Sequence, residues 1–304
     1  MTAMTQSDIP TRNLGRTGFA ATVLGFGAME IRGTEHHHNG RPIDLVQADK
    51  ILNLLLDEGI NYIDTSIDYG DSEESIGKSI AKRRDEYFLA TKCGCWVGDA
   101  PQGTPADKRP PHVFTRQNIV NGIDQSLRRL NTDYLDLIQF HQSPSLNELG
   151  AEDAIAVLKE FQDLGKVRYI GSSSILPNIV DHIDLGVFDV LQIPYSALER
   201  EHEEVITAAH ATGIGVVIRG GVAKGDLGKE SVWKRYEEAN LEELADGASR
   251  AEFMLRFTIS HPGMTTTIVG TMNPDHLIQN IASVRKGPLL ADVYAETKRR
   301  LATL

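Results

Sequence analysis

Cysteine is nearly missing from this chain: two occur in 304 residues, Cys93 and Cys95. Two positions apart on a strand they point to opposite faces, so a structural disulfide between them is not expected, and reduced thiols suit the cytosol. Long apolar runs are lacking as well. Nowhere do 18 consecutive apolar residues occur, so no membrane-spanning helix is expected, and the polar stretch 1–9 has neither the basic nor the apolar part of a secretion signal. Positive charge is scarce, with 31 Lys and Arg against 42 Asp and Glu and a net charge of −11. That balance argues against a nucleic-acid partner, which needs clustered cations, and mainly favours solubility. No Pro/Ser-rich linker and no shift in composition divides the chain. The expectation is a soluble, cytoplasmic protein in which residues 1–304 form one domain, with no membrane or nucleic-acid partner; oligomeric state is not legible.

Short apolar runs alternating with segments of helical period are what the chain does contain, and its 41% hydrophobic residues can bury a large core. A hairpin turn at 14–19 precedes strands at 23–27, ending at Asp64, ending at Lys92, and at 135–141, 167–171, 190–193, 215–218 and 266–269. Helices are expected at 48–58, 73–83, 115–130, 153–164, around Ile179, at 203–211, 251–260 and 274–283, with a polar interruption at 224–245. Eight strand–helix units favour an α/β fold, a single closed (β/α)8 barrel with an N-terminal β-hairpin. Asp64, Lys92 and His141 each end a strand, and Tyr69 lies in the turn after Asp64. In a parallel barrel all strand ends meet at one mouth. Each residue has an ordinary reading as a cap, a turn, a surface charge or a satisfied histidine. Polar groups at three successive strand ends are harder to dismiss, because burying them without partners is costly.

Gly59-Ile60-Asn61-Tyr62-Ile63-Asp64-Thr65-Ser66, followed by Tyr69-Gly70, Ser72-Glu73 and Ile76-Gly77, closely resembles the central signature of the aldo-keto reductases. Thr91-Lys92-Cys93-Gly94, Ser126-Leu127-Arg128-Arg129-Leu130, Thr132-Asp133-Tyr134-Leu135-Asp136 and Lys166-Val167-Arg168-Tyr169-Ile170-Gly171 extend the likeness, which runs from about Arg12 to Asn280. The resemblance implies a barrel whose hairpin plugs its floor, a nicotinamide cofactor held without a Rossmann domain, and a catalytic set of Asp64, Tyr69, Lys92 and His141. Carbonyl reduction needs a hydride on carbon and a proton on oxygen. A free tyrosine with a pKa near 10 suits neutral pH poorly. An adjacent ammonium lowers that value, which is the role read for Lys92, with Asp64 keeping Lys92 charged and aimed. His141 would hydrogen-bond and orient the substrate oxygen.

The same resemblance assigns the cofactor residues. Ser173 matches the family serine at the nicotinamide carboxamide, beside Ser172, while Ser174 replaces the usual asparagine; Gln192 matches the glutamine on the amide's other side. Arg219 stands where a Tyr or Trp usually meets the ring, and a guanidinium can stack there. Gly220, Gly221, Val222 and Gly225 match the segment around the pyrophosphate. Gly270 and Thr271 lead into a helix whose N-terminus can bind phosphate, and His276, Gln279 and Asn280 match contacts to the adenosine end. Gly27, Ala28 and Met29, at the end of the first barrel strand, complete the set. Without Arg or Lys between Gly270 and Asn280, NADP is the first choice by family habit, with NAD close behind.

Long loops at 28–44 and 94–111 should roof the pocket, with Met29, Trp96 and Val97 as apolar walls. The implied substrate is a small carbonyl or alcohol that the sequence does not name. His36-His37-His38 invites a metal reading with Cys93, Cys95 or His141. No familiar ligand spacing appears and hydride transfer needs no metal, so no metal is expected. Two other classes stay open: a metal-dependent barrel hydrolase, and a cofactor-binding regulatory or sensor subunit with little turnover.

Overall fold

The protein's structure, a computed structural model, describes residues 8–33, 44–99, 111–222 and 230–304. Strands form where short apolar runs are bounded by glycine and turn residues, and helices where the apolar positions recur at helical spacing. The hairpin strands β1 (Thr11–Asn13) and β2 (Ala20–Thr22) pair antiparallel. There follow β3 (Leu24–Gly27), α1 (Leu45–Asp57), β4 (Tyr62–Asp64), α2 (Ser72–Ile80), β5 (Phe88–Cys93), α3 (Arg116–Leu130) and β6 (Leu135–Phe140). The chain continues with α4 (Leu146–Gly150), α5 (Ala154–Asp163), β7 (Val167–Ser173), α6 (Asn178–Asp184), β8 (Val190–Pro194), α7 (Glu203–Ala211) and β9 (Gly215–Arg219). It ends with α8 (Glu230–Glu238), α9 (Arg250–Ile259), β10 (Thr266–Val269), α10 (Pro274–Arg285) and α11 (Ala291–Leu301). Among the described residues, β3 to β10 are all parallel and close in the order β10-β3-β4-β5-β6-β7-β8-β9, the expected (β/α)8 barrel.

Alternation along each strand divides the apolar residues into two cores. Ile63, Leu89, Ile138, Phe140, Leu191 and Ile218 face outward to meet the helices. Tyr62, Phe88, Ala90, Leu137, Val190 and Val217 face inward, and the hairpin contributes Leu14 and Phe19 to that inner cluster. Phe19 lies 4.9 Å from Phe88 between ring centres, and Phe88 in turn stacks on Tyr62 at 5.5 Å. The hairpin thus plugs the end of the barrel opposite the strand C-termini. Arg12 fastens it there by donating to the carbonyls of Ile259 (2.7 Å), Met264 (2.9 Å) and His261 (3.0 Å), at the C-terminal end of α9 where cations are favoured.

Three elements depart from the expected pattern. The polar interruption at 224–245 contains α8, whose Trp233 and Tyr236, three residues apart, turn one narrow buried face inward. Helix α4 is a single turn held by a capping box between Ser145 and Glu148. Beyond the last predicted helix, α11 has five charged residues among its eleven and docks through Tyr294, Thr297 and Leu301. Its Tyr294 hydroxyl lies 3.0 Å from that of Tyr195, and Lys298 donates to Glu203 at 2.8 Å.

Asp136 is the polar knot beside the plugged end. It is nearly fully buried, accepts from Arg84 (2.6 Å) and the Leu89 backbone N–H (2.9 Å) on one oxygen, and from Arg168 (2.8 Å) on the other. Both guanidinium groups also lie over the Tyr134 ring, at 4.1 and 4.0 Å. Removing the carboxylate takes away the anionic partner of Arg84, which is only 10% exposed, and leaves it the neutral oxygens of Tyr87, Tyr134 and Thr132. Asp136→Ala should therefore lower the unfolding free energy by about 3–5 kcal/mol, the usual cost of leaving one partner of a buried pair alone. Denaturant unfolding checks this, and a loss below about 1 kcal/mol would show that the arginines re-solvate freely.

Candidate active site

Strands β4, β5 and β6 are neighbours, so their C-terminal ends bring Asp64, Lys92 and His141 to one mouth. Asp64 and Lys92 point into the barrel and are almost inaccessible, 2% and 1% exposed. Lys92 Nζ donates to Asp64 Oδ1 (2.5 Å) and to the Thr65 carbonyl (2.7 Å). Asp64 Oδ2 accepts from the amide nitrogens of Gln139 (3.0 Å) and Gln192 (2.9 Å). Such a pair persists only when the lost hydration is replaced by bonds of this kind. Burial alone pushes the Lys92 ammonium down, yet Asp64, by charge and hydrogen bond, outweighs it with help from Asp68, and the net direction is up, which favours the charged form.

Tyr69 lies in the turn after β4. Lys92 Nζ is 4.9 Å from its ring centre, and the His141 ring stands edge-on at 6.1 Å. Burial pushes the Tyr69 phenol up from its ordinary value; Lys92 pulls it back, while Asp64, Asp68 and Cys95 add to the rise. Lys92 acts in the expected direction, but desolvation and the surrounding anions outweigh one ammonium and the net direction is up, which favours the neutral phenol.

His141 follows β6 and is 6% exposed. Its Nδ1 is 3.2 Å from Cys95 Sγ, 3.3 Å from His112 Nε2 and 3.7 Å from Asp68 Oδ1. Asp68 and His112 have no role in the sequence reading, and neither has Gln139. Gln139 was detectable: it is the inward polar position between Leu137 and His141 on a strand that alternates. His112 was not, because it reaches the mouth only where Val113 N–H bonds to the Gly94 carbonyl (2.7 Å) and folds the far end of the loop back.

The expected cofactor residues divide. Ser173 donates to Gln192 Oε1 at 3.1 Å, so the two matched residues sit side by side above Asp64, inside the barrel. Ser172 is a correction: it pairs with the outward-facing Phe140, so its side chain is buried behind the sheet, away from Ser173. Ser174, in the asparagine position, bonds the Ser143 hydroxyl at 2.8 Å. Arg219 is half-buried, in register with the inward Ile268, and feels the charges of Tyr69, Glu199 and Asp64. Gly220 takes φ +72°, open to glycine at little cost, and a side chain at Gly270 would strike the Gly27 carbonyl at 2.4 Å. Ala28 is buried while Met29 is 39% exposed. Asn273 caps α10 with Pro274 at its first position, and His276 and Gln279 lie exposed on its first turns with Asn280 half-buried. A paired hydroxyl and amide at the strand ends, a side-chain-free backbone turn and a helix N-terminus suit the carboxamide and phosphates of a nicotinamide dinucleotide. Gly225, His36, His37 and His38 lie outside the described residues, as do 34–43 and 100–110 of the expected roof. Cys93 and Cys95 are both free thiols.

Glu73, at the start of α2, is fully buried behind β5. Burial pushes its carboxyl up to about 7 against the Ser126 and Thr91 hydroxyls and Arg129. Thr91 donates to it at 2.7 Å and Arg129 lies 3.9 Å away. The unfolded chain releases this proton in the ordinary carboxylate range and the folded chain keeps it until about pH 7, so stability falls as pH rises through that window and levels above it. Glu73→Gln should remove the effect: relative to wild type, the variant gains on the order of 2–3 kcal/mol between pH 5 and pH 8. An unfolding free-energy difference that is the same at both pH values would contradict it.

The family model described as "Aldo/keto reductase family" matches residues 23–301. The uncharacterized oxidoreductase YqkF of Bacillus subtilis (strain 168) is 30% identical over 291 residues, 89% of each chain. Aldo-keto reductase YhdN of the same organism is 33% identical over 224 residues, 71% of this chain and 62% of its own. The holo form of aldo-keto reductase AKR11C1 from Bacillus halodurans superposes with a TM-score of 0.81 at 29% identity, over 96% of both chains. Among the described residues no helix is long and apolar enough to cross a membrane. With the barrel, its plugging hairpin and the strand-end cluster already in place, these matches make the chain a member of the aldo/keto reductase family, an oxidoreductase family that uses nicotinamide cofactors.

Proposed function

We propose that the protein reduces an aldehyde or ketone to the alcohol, or runs the reverse reaction, with NADP(H) first and NAD(H) second as cofactor. The observation that carries this reading is the Tyr69 ring set beside a buried Lys92–Asp64 pair and the His141 ring. When bound, a reduced nicotinamide supplies the hydride for the carbonyl carbon. Ser173 and Gln192 would hold its carboxamide, Arg219 would lie against the ring, and Gly220, Gly221 and Val222 with the start of α10 would take the phosphates. His276 is the one ionisable cationic side chain between Gly270 and Asn280, so the preference for the 2′-phosphate should be modest.

The protein's own part is the proton. His141 hydrogen-bonds the carbonyl oxygen and fixes its direction. Tyr69 donates its hydroxyl proton to that oxygen as negative charge develops, and Lys92 stabilises the phenolate left behind. Asp64, held by Gln139 and Gln192, keeps Lys92 charged and aimed. The free thiols fit a reducing cytoplasm.

A panel of aldehydes, ketones and sugars assayed with NADPH and NADH in parallel, for wild type and Tyr69→Phe, tests the reading. Wild type should oxidise the cofactor with at least one carbonyl. Tyr69→Phe should lose about 10²–10⁴-fold in kcat while its cofactor Kd stays close to wild type. A variant retaining half its kcat would remove Tyr69 as the donor, and a wild type that binds cofactor tightly without turnover would favour a sensor instead.

A further inference from the structure

Four potential metal ligands from three loops of the barrel mouth converge next to Tyr69. Asp68 belongs to the loop after β4, Cys95 and His112 to the two ends of the described loop after β5, and His141 to the turn after β6. One ligand atom from each lies within 4.8 Å of all the others. Three of the separations are 3.2 Å (Cys95 Sγ to His141 Nδ1), 3.3 Å (His112 Nε2 to His141 Nδ1) and 3.7 Å (Asp68 Oδ1 to His141 Nδ1). Ligands around a tetrahedral zinc ion, bound at about 2.0–2.3 Å, stand about 3.2–3.8 Å apart. We propose that Asp68, Cys95, His112 and His141 form a binding site for a zinc-class divalent ion.

The ligand set chooses the metal. Two imidazoles, a thiol and a single carboxylate suit zinc and are foreign to magnesium or calcium, which take oxygen ligands. Four protein ligands close the coordination sphere, the pattern of a structural ion. The surrounding bonds already hold the ligands. Ser66 Oγ donates to Asp68 Oδ1 at 2.7 Å and lies 3.6 Å from Cys95 Sγ, so it orients two ligands at once. Asn118 donates to the carbonyls of Cys95 (3.0 Å) and Val113 (2.8 Å), tying together the loop ends that carry Cys95 and His112.

Binding displaces the thiol proton to solvent and forms one sulfur–metal bond, with no change of oxidation state. The ion adds a common centre to three loops that already meet through Ser66, Cys95, His112 and His141. Metal on Nδ1 also leaves the imidazole proton of His141 on Nε2, away from the ion. Nothing in this binding depends on the barrel reducing a carbonyl, so the two readings fail separately.

Metal-free protein should be titrated with Co²⁺ as a spectroscopic probe and with Zn²⁺ in competition. The expected result is one ion per chain, intense visible bands of tetrahedral cobalt, a sulfur-to-cobalt charge-transfer band, and Zn²⁺ displacing Co²⁺ with a Kd of about 10⁻⁷ M or tighter. Cys95→Ser should abolish the charge-transfer band. His112→Ala, at a half-exposed loop end where misfolding is not a concern, should weaken Zn²⁺ by at least about 100-fold, and Ser66→Ala by about 10-fold. Zn²⁺ at a few times its wild-type Kd should raise the Tm of wild type and leave that of His112→Ala nearly unchanged. Absence of stoichiometric binding overturns the proposal. So does binding that survives Cys95→Ser and His112→Ala but is lost when His36, His37 and His38 are replaced by Gln. Metal binding without any carbonyl turnover would leave this site standing and remove the reductase reading; turnover without metal binding would do the reverse.

Discussion

A lysine ammonium and an aspartate carboxylate lie together inside the barrel mouth with almost no access to water, and the site is arranged around keeping them ionised. Removing two such charges from water costs several kcal/mol each, recovered only where every lone pair and proton finds a partner. Asp64 meets this condition on both oxygens, through Lys92 on one side and Gln139 with Gln192 on the other. Those partners come from β5, β6 and β8. The pair can therefore exist only after the barrel has closed, which couples the site to the fold.

The same buried setting governs Tyr69. In water an ammonium 4.9 Å from the ring would do little; in the mouth it acts strongly, yet desolvation of the phenolate and the neighbouring carboxylates act more strongly still. The balance favours the neutral phenol and sets a cation beside it, where the proposed donation would leave negative charge. A proton donor needs both conditions. The scaffold that holds them is a parallel barrel plugged at its far end by the hairpin, which Arg12 fastens, with Asp136 joining Arg84, Leu89 and Arg168 beside it.

Much of this was legible in the sequence because strands and helices impose different periods. The ends of β4, β5 and β6 were visible as polar residues closing apolar runs; that Asp64 and Lys92 lie on the inner face is seen in the structure. Alternation separates Ser173, which faces inward, from Ser172, which does not. Residues that act through loops were not legible. His112 lies 17 positions from Cys95, and only the closure of the loop by the Val113–Gly94 bond brings it to His141. Helix α11 was hidden because its buried stripe is narrow and charges crowd its last turns, so it lacks the broad apolar face that marks a core helix. The sign of the Tyr69 shift was hidden for another reason: sequence names the neighbouring charges but not how dry they are.

In the proposed reduction the proton is the part the protein alone would supply, and the pH dependence of kcat/KM for carbonyl reduction tests its source most directly. If Tyr69 is the donor and burial holds its phenol above the ordinary value of 10, the rate should stay level across neutral pH and decline only as pH approaches and passes that value. A rate that already falls along a single titration below about pH 8 would contradict this, because a group of that acidity is a different donor or a tyrosine whose lysine has overcome its burial.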